Sequence, residues 1–124
     1  MSLILIVEDN EKNMKLVRDV LQVKGYATLE AGTAEHGLAI AAERKPDLIL
    51  MDIQLPGMSG IQALSVLRAD PRTKQIPVIA VTASVMQQDR KQITDAGFDA
   101  YLGKPLDLKE FLKTVARVLG APRS

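Results

Sequence analysis

The stretch Leu48-Ile-Leu-Met51 is apolar at four successive positions, closes on Asp52, and runs on as Ile-Gln-Leu-Pro-Gly-Met-Ser-Gly60. A strand that is apolar on both pleated faces must be covered on both faces, the condition of a parallel sheet held between layers of helices. Leu55-Pro56-Gly57 with Gly60 then turns the chain ahead of a helical pattern. Asp52 thus falls at the carboxyl end of a buried strand, the edge of an open α/β sheet where ligands bind. A loop aspartate bonding only to nearby backbone N–H groups would look the same from this stretch alone.

The pattern recurs along the chain. Leu3–Val7 is a second short apolar strand and ends in the acidic pair Glu8-Asp9. Asn10 can cap a helix over Glu11–Lys24 whose stripe is Met14, Val17, Val20 and Leu21, with Gly25 as its left-handed stop. Tyr26–Ala31 reads as a strand, and Gly32-Thr33 opens a helix through Glu43 with Ala34, Leu38, Ala41 and Ala42 inward, small enough for close approach to a sheet. Lys45-Pro46-Asp47 breaks the chain before the central strand. After it come a helix over Gly60–Ala69 striped by Ile61, Leu64 and Leu67, a strand over Pro77–Val81 that stops on Thr82, and a weakly anchored helix over Met86–Ala96. Phe98–Leu102 is a fifth strand leading into Gly103-Lys104-Pro105. Asp107–Glu110 has the form of a capping box for a final helix striped by Leu108, Phe111, Leu112, Val115 and Leu119.

Five strand–helix alternations in 124 residues predict one doubly wound α/β domain spanning 1–124, a flavodoxin-like five-stranded parallel sheet of order 2-1-3-4-5 with five helices. No output domain is expected on the chain. A formal charge of +1 with acids and bases interspersed leaves no footprint for nucleic acid or an anionic membrane. The absence of cysteine removes disulfide, thiolate and Cys–metal chemistry, and no apolar run approaches membrane-spanning length, so the expected location is cytoplasmic.

Right-handed crossovers bring Glu8, Asp9, Asp52, Thr82 and Lys104 to one rim. Like charges about 4 Å apart repel by roughly 4 kcal/mol at an effective dielectric near 20, so three carboxylates there call for a cation or raised pKa values. Hard oxygen ligands without His or Cys favour Mg²⁺. A metal, a lysine and a hydroxyl converging on a carboxylate suit stabilisation of a transferring phosphoryl group, with Asp52 as nucleophile and an acyl phosphate as product.

These motifs resemble those of the receiver domains of bacterial two-component response regulators: Leu-Ile-Val-Glu-Asp-Asn, Leu-Met-Asp-Ile-Gln-Leu-Pro-Gly-Met-Ser-Gly, Val-Thr-Ala and Gly-Lys-Pro, in order and spacing over the whole length. Glu8–Leu21 and Lys45–Gly60 are similar to single-domain cell-cycle regulators of the DivK type and to receivers attached to hybrid histidine kinases. The resemblance implies a signalling module, not an enzyme beyond its own phosphorylation and dephosphorylation, in which a histidine kinase or histidine phosphotransfer protein phosphorylates Asp52. It implies Mg²⁺ held by Asp9, Asp52 and the Gln54 carbonyl, with Glu8 reaching it through water, and phosphate bound by Thr82, Lys104 and the backbone N–H groups of Ile53 and Ala83. Pro105 would follow a cis peptide bond, Gln54 and Ser84 would tune acyl-phosphate lifetime, and Thr82 with Tyr101 would switch. A downstream protein target would read the 86–96 helix, strand five and the 108–119 helix, the face where a phosphorylation-dependent dimer would also form. Glu8 departs from the Asp that many receivers carry, which bears on the metal geometry.

The rivals are less well matched. A haloacid dehalogenase-type phosphatase would resemble its class by an Asp two residues after the nucleophile, where this chain has Gln54, and a nucleotide-binding module would need a Gly-x-Gly-x-x-Gly or a phosphate-loop lysine motif. An unphosphorylated interaction module remains the alternative. His36 reads as solvated surface, and Arg72, Lys74, Arg90 and Lys91 as a solvated basic face.

Overall fold

The computed structural model describes residues 2–82, 91, 93 and 95–120. Strands β1 (Leu3–Val7), β2 (Ala27–Ala31), β3 (Leu48–Asp52), β4 (Val78–Thr82) and β5 (Ala100–Gly103) pair in one parallel sheet of order β2-β1-β3-β4-β5. Among the described residues the connecting helices are α1 (Glu11–Val23), α2 (Ala34–Arg44), α3 (Gly60–Ala69) and α4 (Leu108–Gly120). The expected Met86–Ala96 helix lies mostly outside the described residues; of its positions, Lys91, Ile93, Asp95 and Ala96 are described and helical.

Strand residues alternate between two cores, one on each face of the sheet. Leu5, Val7, Ile49, Met51, Val78 and Ala80 pack toward α2 and α3, against Ala41, Leu64 and Leu67. Ile4, Ile6, Leu48, Leu50 and Ile79 pack toward Met14, Val17 and Leu21 of α1 and Phe111, Val115 and Val118 of α4. Every residue of β3 and β4 is buried, as doubly covered parallel strands require. Each large apolar side chain so buried contributes about 1.5–3 kcal/mol. On α2 the inward residues are Ala34, Gly37 and Ala41, with Leu38 and Ala42 half-buried. A Cβ on Gly37 would meet Val7 Cγ2 at 2.8 Å, so this helix lies on the sheet at glycine distance.

Local chemistry sets the helix ends. Asn10 caps α1 by accepting from the Asn13 N–H, and Gly25 follows its end at φ +91°. The reciprocal capping box stands at Ser59 and Gln62 of α3. At α4 the expected box is one-sided: the Asp107 carboxylate accepts from the N–H groups of Lys109 and Glu110. At the opposite edge of the sheet from Asp52, Arg68 of α3 donates to the carbonyls of Ile76 at 2.6 Å and Lys74 at 3.1 Å and to Asp99 at 3.2 Å. Asp99 Oδ2 in turn accepts from the Val78 N–H at 2.7 Å, so one half-buried ion pair ties α3 to the entries of β4 and β5. No helix among the described residues is long and apolar enough to cross a membrane.

Candidate functional site

Register levels the ends of the strands. Val7 lies opposite Met51 and Asp52 opposite Val81, while Thr82 lies opposite Gly103. The next residue on β1, Glu8, is therefore level with Asp52, while Lys104 follows β5 two residues beyond that level and reaches back to the carboxylate through its side chain. Asp52 is 3% exposed, Glu8 7% and Thr82 3%, whereas Asp9 is exposed.

Lys104 joins the two buried acids. Its Nζ donates to Asp52 Oδ2 at 2.9 Å and to Glu8 Oε1 and Oε2 at 3.1 and 3.2 Å. The Asp52 Oδ1 atom accepts from the Gln54 N–H at 2.9 Å, and Asn13 Nδ2 donates to Glu8 Oε1 at 3.1 Å. Burial, followed by the neighbouring Asp52 carboxyl, pushes the Glu8 carboxyl above the usual glutamate value, against the opposing pull of Asn13 and Lys104. For Lys104 burial disfavours the charge, but the hydrogen bonds to Asp52 and Glu8 outweigh it and raise the ammonium pKa.

Carboxylate oxygens of Glu8, Asp9 and Asp52 all lie within 4.8 Å of one another. Three acids at that spacing, with one lysine engaged by two of them, form an oxygen-only donor set of the hard type that suits Mg²⁺. Beside them a cavity of about 400 Å³, walled by Ile6, Val17, Leu50 and Phe111, opens at Glu8, Asp52 and Lys104.

The rim thus gathers Glu8, Asp9, Asp52 and Lys104 as the strand ends predict, and the Lys104–Pro105 peptide bond is cis. Tyr101 is half-buried against the core on the α2–α3 side. Ala83 and Ser84 lie outside the described residues. The Ile53 N–H donates to the Val81 carbonyl at 2.9 Å, as the β3–β4 ladder continues one residue beyond Asp52. The backbone N–H turned to the acceptor carboxylate is that of Gln54. Sequence reasoning also missed Asn13 and Gly60. Asn13 is three residues after a capping Asn, the position whose side chain reaches back over the helix start. Gly60 packs so closely that a Cβ there would meet the Asp52 carbonyl oxygen at 2.8 Å and Ile53 Cα at 2.9 Å.

Residues 4–116 match the family model of the response regulator receiver domain. The chain is 45% identical over 117 residues to the polar-differentiation response regulator DivK of Brucella anthropi, covering 94% of this chain and 95% of that protein, and equally so to its counterpart in Brucella ovis. Among solved structures, the receiver domain of a Pseudomonas aeruginosa sensor histidine kinase, with a magnesium ion coordinated in its active-site cleft, aligns with a TM-score of 0.89 at 32% identity, over 97% of this chain and 98% of that one. The chemotaxis protein CheY4 of Vibrio cholerae aligns with a TM-score of 0.89 at 27% identity, over 95% and 98%. The chain belongs to the response regulator receiver domain family, the phosphoryl-accepting modules of two-component signalling.

Proposed function

We propose that Asp52 is the phosphoryl acceptor of a single receiver unit and that a phosphohistidine on a histidine kinase or histidine phosphotransfer protein is the donor. A carboxylate oxygen of Asp52 attacks phosphorus, a P–O bond forms, and the P–N bond to the donor breaks as the imidazole nitrogen takes up a proton. The observation that carries this reading is the 2.9 Å contact between Lys104 Nζ and Asp52 Oδ2 at a rim where Glu8 and Asp9 converge.

Lys104 and Thr82 are the groups to hold the transferred phosphoryl oxygens, and the family resemblance adds the backbone N–H groups of Ile53 and Ala83. Asp9, Asp52 and the Gln54 carbonyl would hold Mg²⁺, with Glu8 reaching it through water; the ion, when bound, supplies neutralisation of charge on the transferring oxygens. Gln54 is exposed beside the acceptor and, with Ser84, is placed in sequence to control how readily water reaches the acyl phosphate, and so its lifetime by self-dephosphorylation. Phosphate drawn to Thr82 shifts the packing around half-buried Tyr101, so that the face formed by the 86–96 segment, β5 and α4 changes for a downstream protein target or a second copy of the chain. These partners would meet it in the cytoplasm.

The test is intact mass after incubation with Mg²⁺ and a small acyl-phosphate donor, comparing the native chain with Asp52→Asn. One labile, Mg²⁺-dependent phosphoryl group on the native chain alone is the expected result. If neither chain is labelled, by that donor or by a phosphorylated kinase, the interaction-module reading replaces this one.

A further inference from the structure

The Glu8 carboxylate is 7% exposed and held from two sides, by Lys104 on both oxygens and by the Asn13 amide on Oε1. Lys104 is shared: it also holds Asp52 and, on the proposed function, must turn toward the phosphoryl group. When it turns, Glu8 would, but for Asn13, be left as a buried carboxylate with no donor, a costly state. Asn13 supplies the donor that remains. Its own position is secured independently, because its backbone N–H is bound by the Asn10 side chain at 3.0 Å at the start of α1. The side chain of this residue therefore reaches back across the helix start to the residue two before the cap.

We propose that Asn13 is a positioning residue of the phosphorylation site, holding Glu8 in the orientation from which it serves the metal while Lys104 is released to the phosphoryl group. This rests on the reading of Glu8, Asp9 and Asp52 as a Mg²⁺ site. The length of glutamate is what makes the arrangement work. With one methylene more than aspartate, Glu8 reaches Lys104 across the rim, and the longer side chain has a further torsion that needs fixing.

The experiment is a calorimetric Mg²⁺ titration of the native chain, Asn13→Leu, Glu8→Ala and the double variant, each checked for folding by circular dichroism and thermal midpoint. Leucine keeps the γ-branched shape of Asn13, is somewhat larger, and removes its donor. The expected result is a loss of Mg²⁺ affinity of about tenfold in Asn13→Leu, the scale of groups that orient metal ligands. In the Glu8→Ala background the same substitution should then change affinity by less than about twofold, because its effect runs through Glu8. A folded Asn13→Leu variant with native affinity overturns the proposal, and so does a loss that persists in full when Glu8 is absent. A native chain that takes up no Mg²⁺ overturns the metal reading itself, and this inference with it.

Discussion

Lys104 Nζ sits 2.9 Å from Asp52 Oδ2 and 3.1 Å from Glu8 Oε1, bridging two carboxylates that are otherwise shut away from water at the ends of neighbouring strands. The lysine is 96 residues from Glu8 and 52 from Asp52 along the chain, so it also closes the last strand of the sheet onto the first and third. Its ammonium is the one cation that contacts either acid among the described residues, and the balance of the rim depends on it.

Lys104→Met should therefore destabilise the protein without metal by about 1–3 kcal/mol, since two buried acids lose their shared donor. Added Mg²⁺ should recover a large part of that loss by replacing one cation with another. Urea unfolding of the two chains, with and without Mg²⁺, checks this: a variant as stable as the native chain would show that the bridge contributes nothing.

The pH dependence follows from the direction of each shift. Glu8 titrates above its ordinary value of 4.5, so the folded chain binds its proton more readily than the unfolded one. The stabilisation from that proton is complete below 4.5 and is lost as the pH rises through the raised value, so in neutral solution Glu8 is a cost that bound metal relieves. Because the proton competes with the metal, Mg²⁺ affinity should fall on acidification beginning above pH 4.5. Lys104, raised above 10.5, contributes stability that is fully present below 10.5 and disappears as the pH climbs through its higher folded value. Calorimetric Mg²⁺ titrations across the acid range and urea unfolding at alkaline pH read the two windows separately.

Gly60→Ala tests how the acceptor is seated. The added methyl would fall 2.8 Å from the Asp52 carbonyl oxygen and 2.9 Å from Ile53 Cα, both backbone atoms with no room to yield. The first turn of α3 must move away from the end of β3, at a cost of about 1–3 kcal/mol. The thermal midpoint should drop by roughly 4–12 °C and phosphorylation of Asp52 should slow. Gly37→Ala meets Val7 side-chain atoms instead, which can rotate, and should be the milder change in both readouts.

Arg68 and Asp99 should prove coupled. Truncating Arg68 to Ala strips a donor from the Ile76 and Lys74 carbonyls and a counter-ion from Asp99, for a predicted loss of about 2 kcal/mol. A double-mutant cycle with Asp99→Asn should return an interaction energy of at least about 0.5 kcal/mol, and strict additivity would show that the two act separately.

The fold was legible because the strands announce themselves. A run such as Leu48–Met51 is too short for a helix and too apolar for one exposed face, and three such runs ending in Glu8, Asp52 and Thr82, with the less apolar stretch that leads into Lys104, carry the rim with them. What stayed hidden was contact that depends on reach or clearance. Nothing in an isolated Asn13 tells that its amide will meet Glu8, and Gly60 reads as a turn residue until its distance to Asp52 is measured. The partner of the Ile53 N–H was hidden for a related reason: whether a backbone donor faces a ligand or a neighbouring strand depends on where the ladder stops, and pairing runs one residue past Asp52. Likewise Ser59-x-x-Gln62 fits the same capping pattern as Asp107-x-x-Glu110, yet the box closes on both sides only at the former.

The sheet separates two apolar cores that share strands but not side chains. It works as a partition one backbone thick. A disturbance on the Tyr101 side can soften the packing of Phe98 and Ile93 while Phe111, Leu21 and Ile4 beyond the wall keep their neighbours. The molecule can thus be pliant on one face and rigid on the other, with the acceptor mounted on the edge of the wall between them.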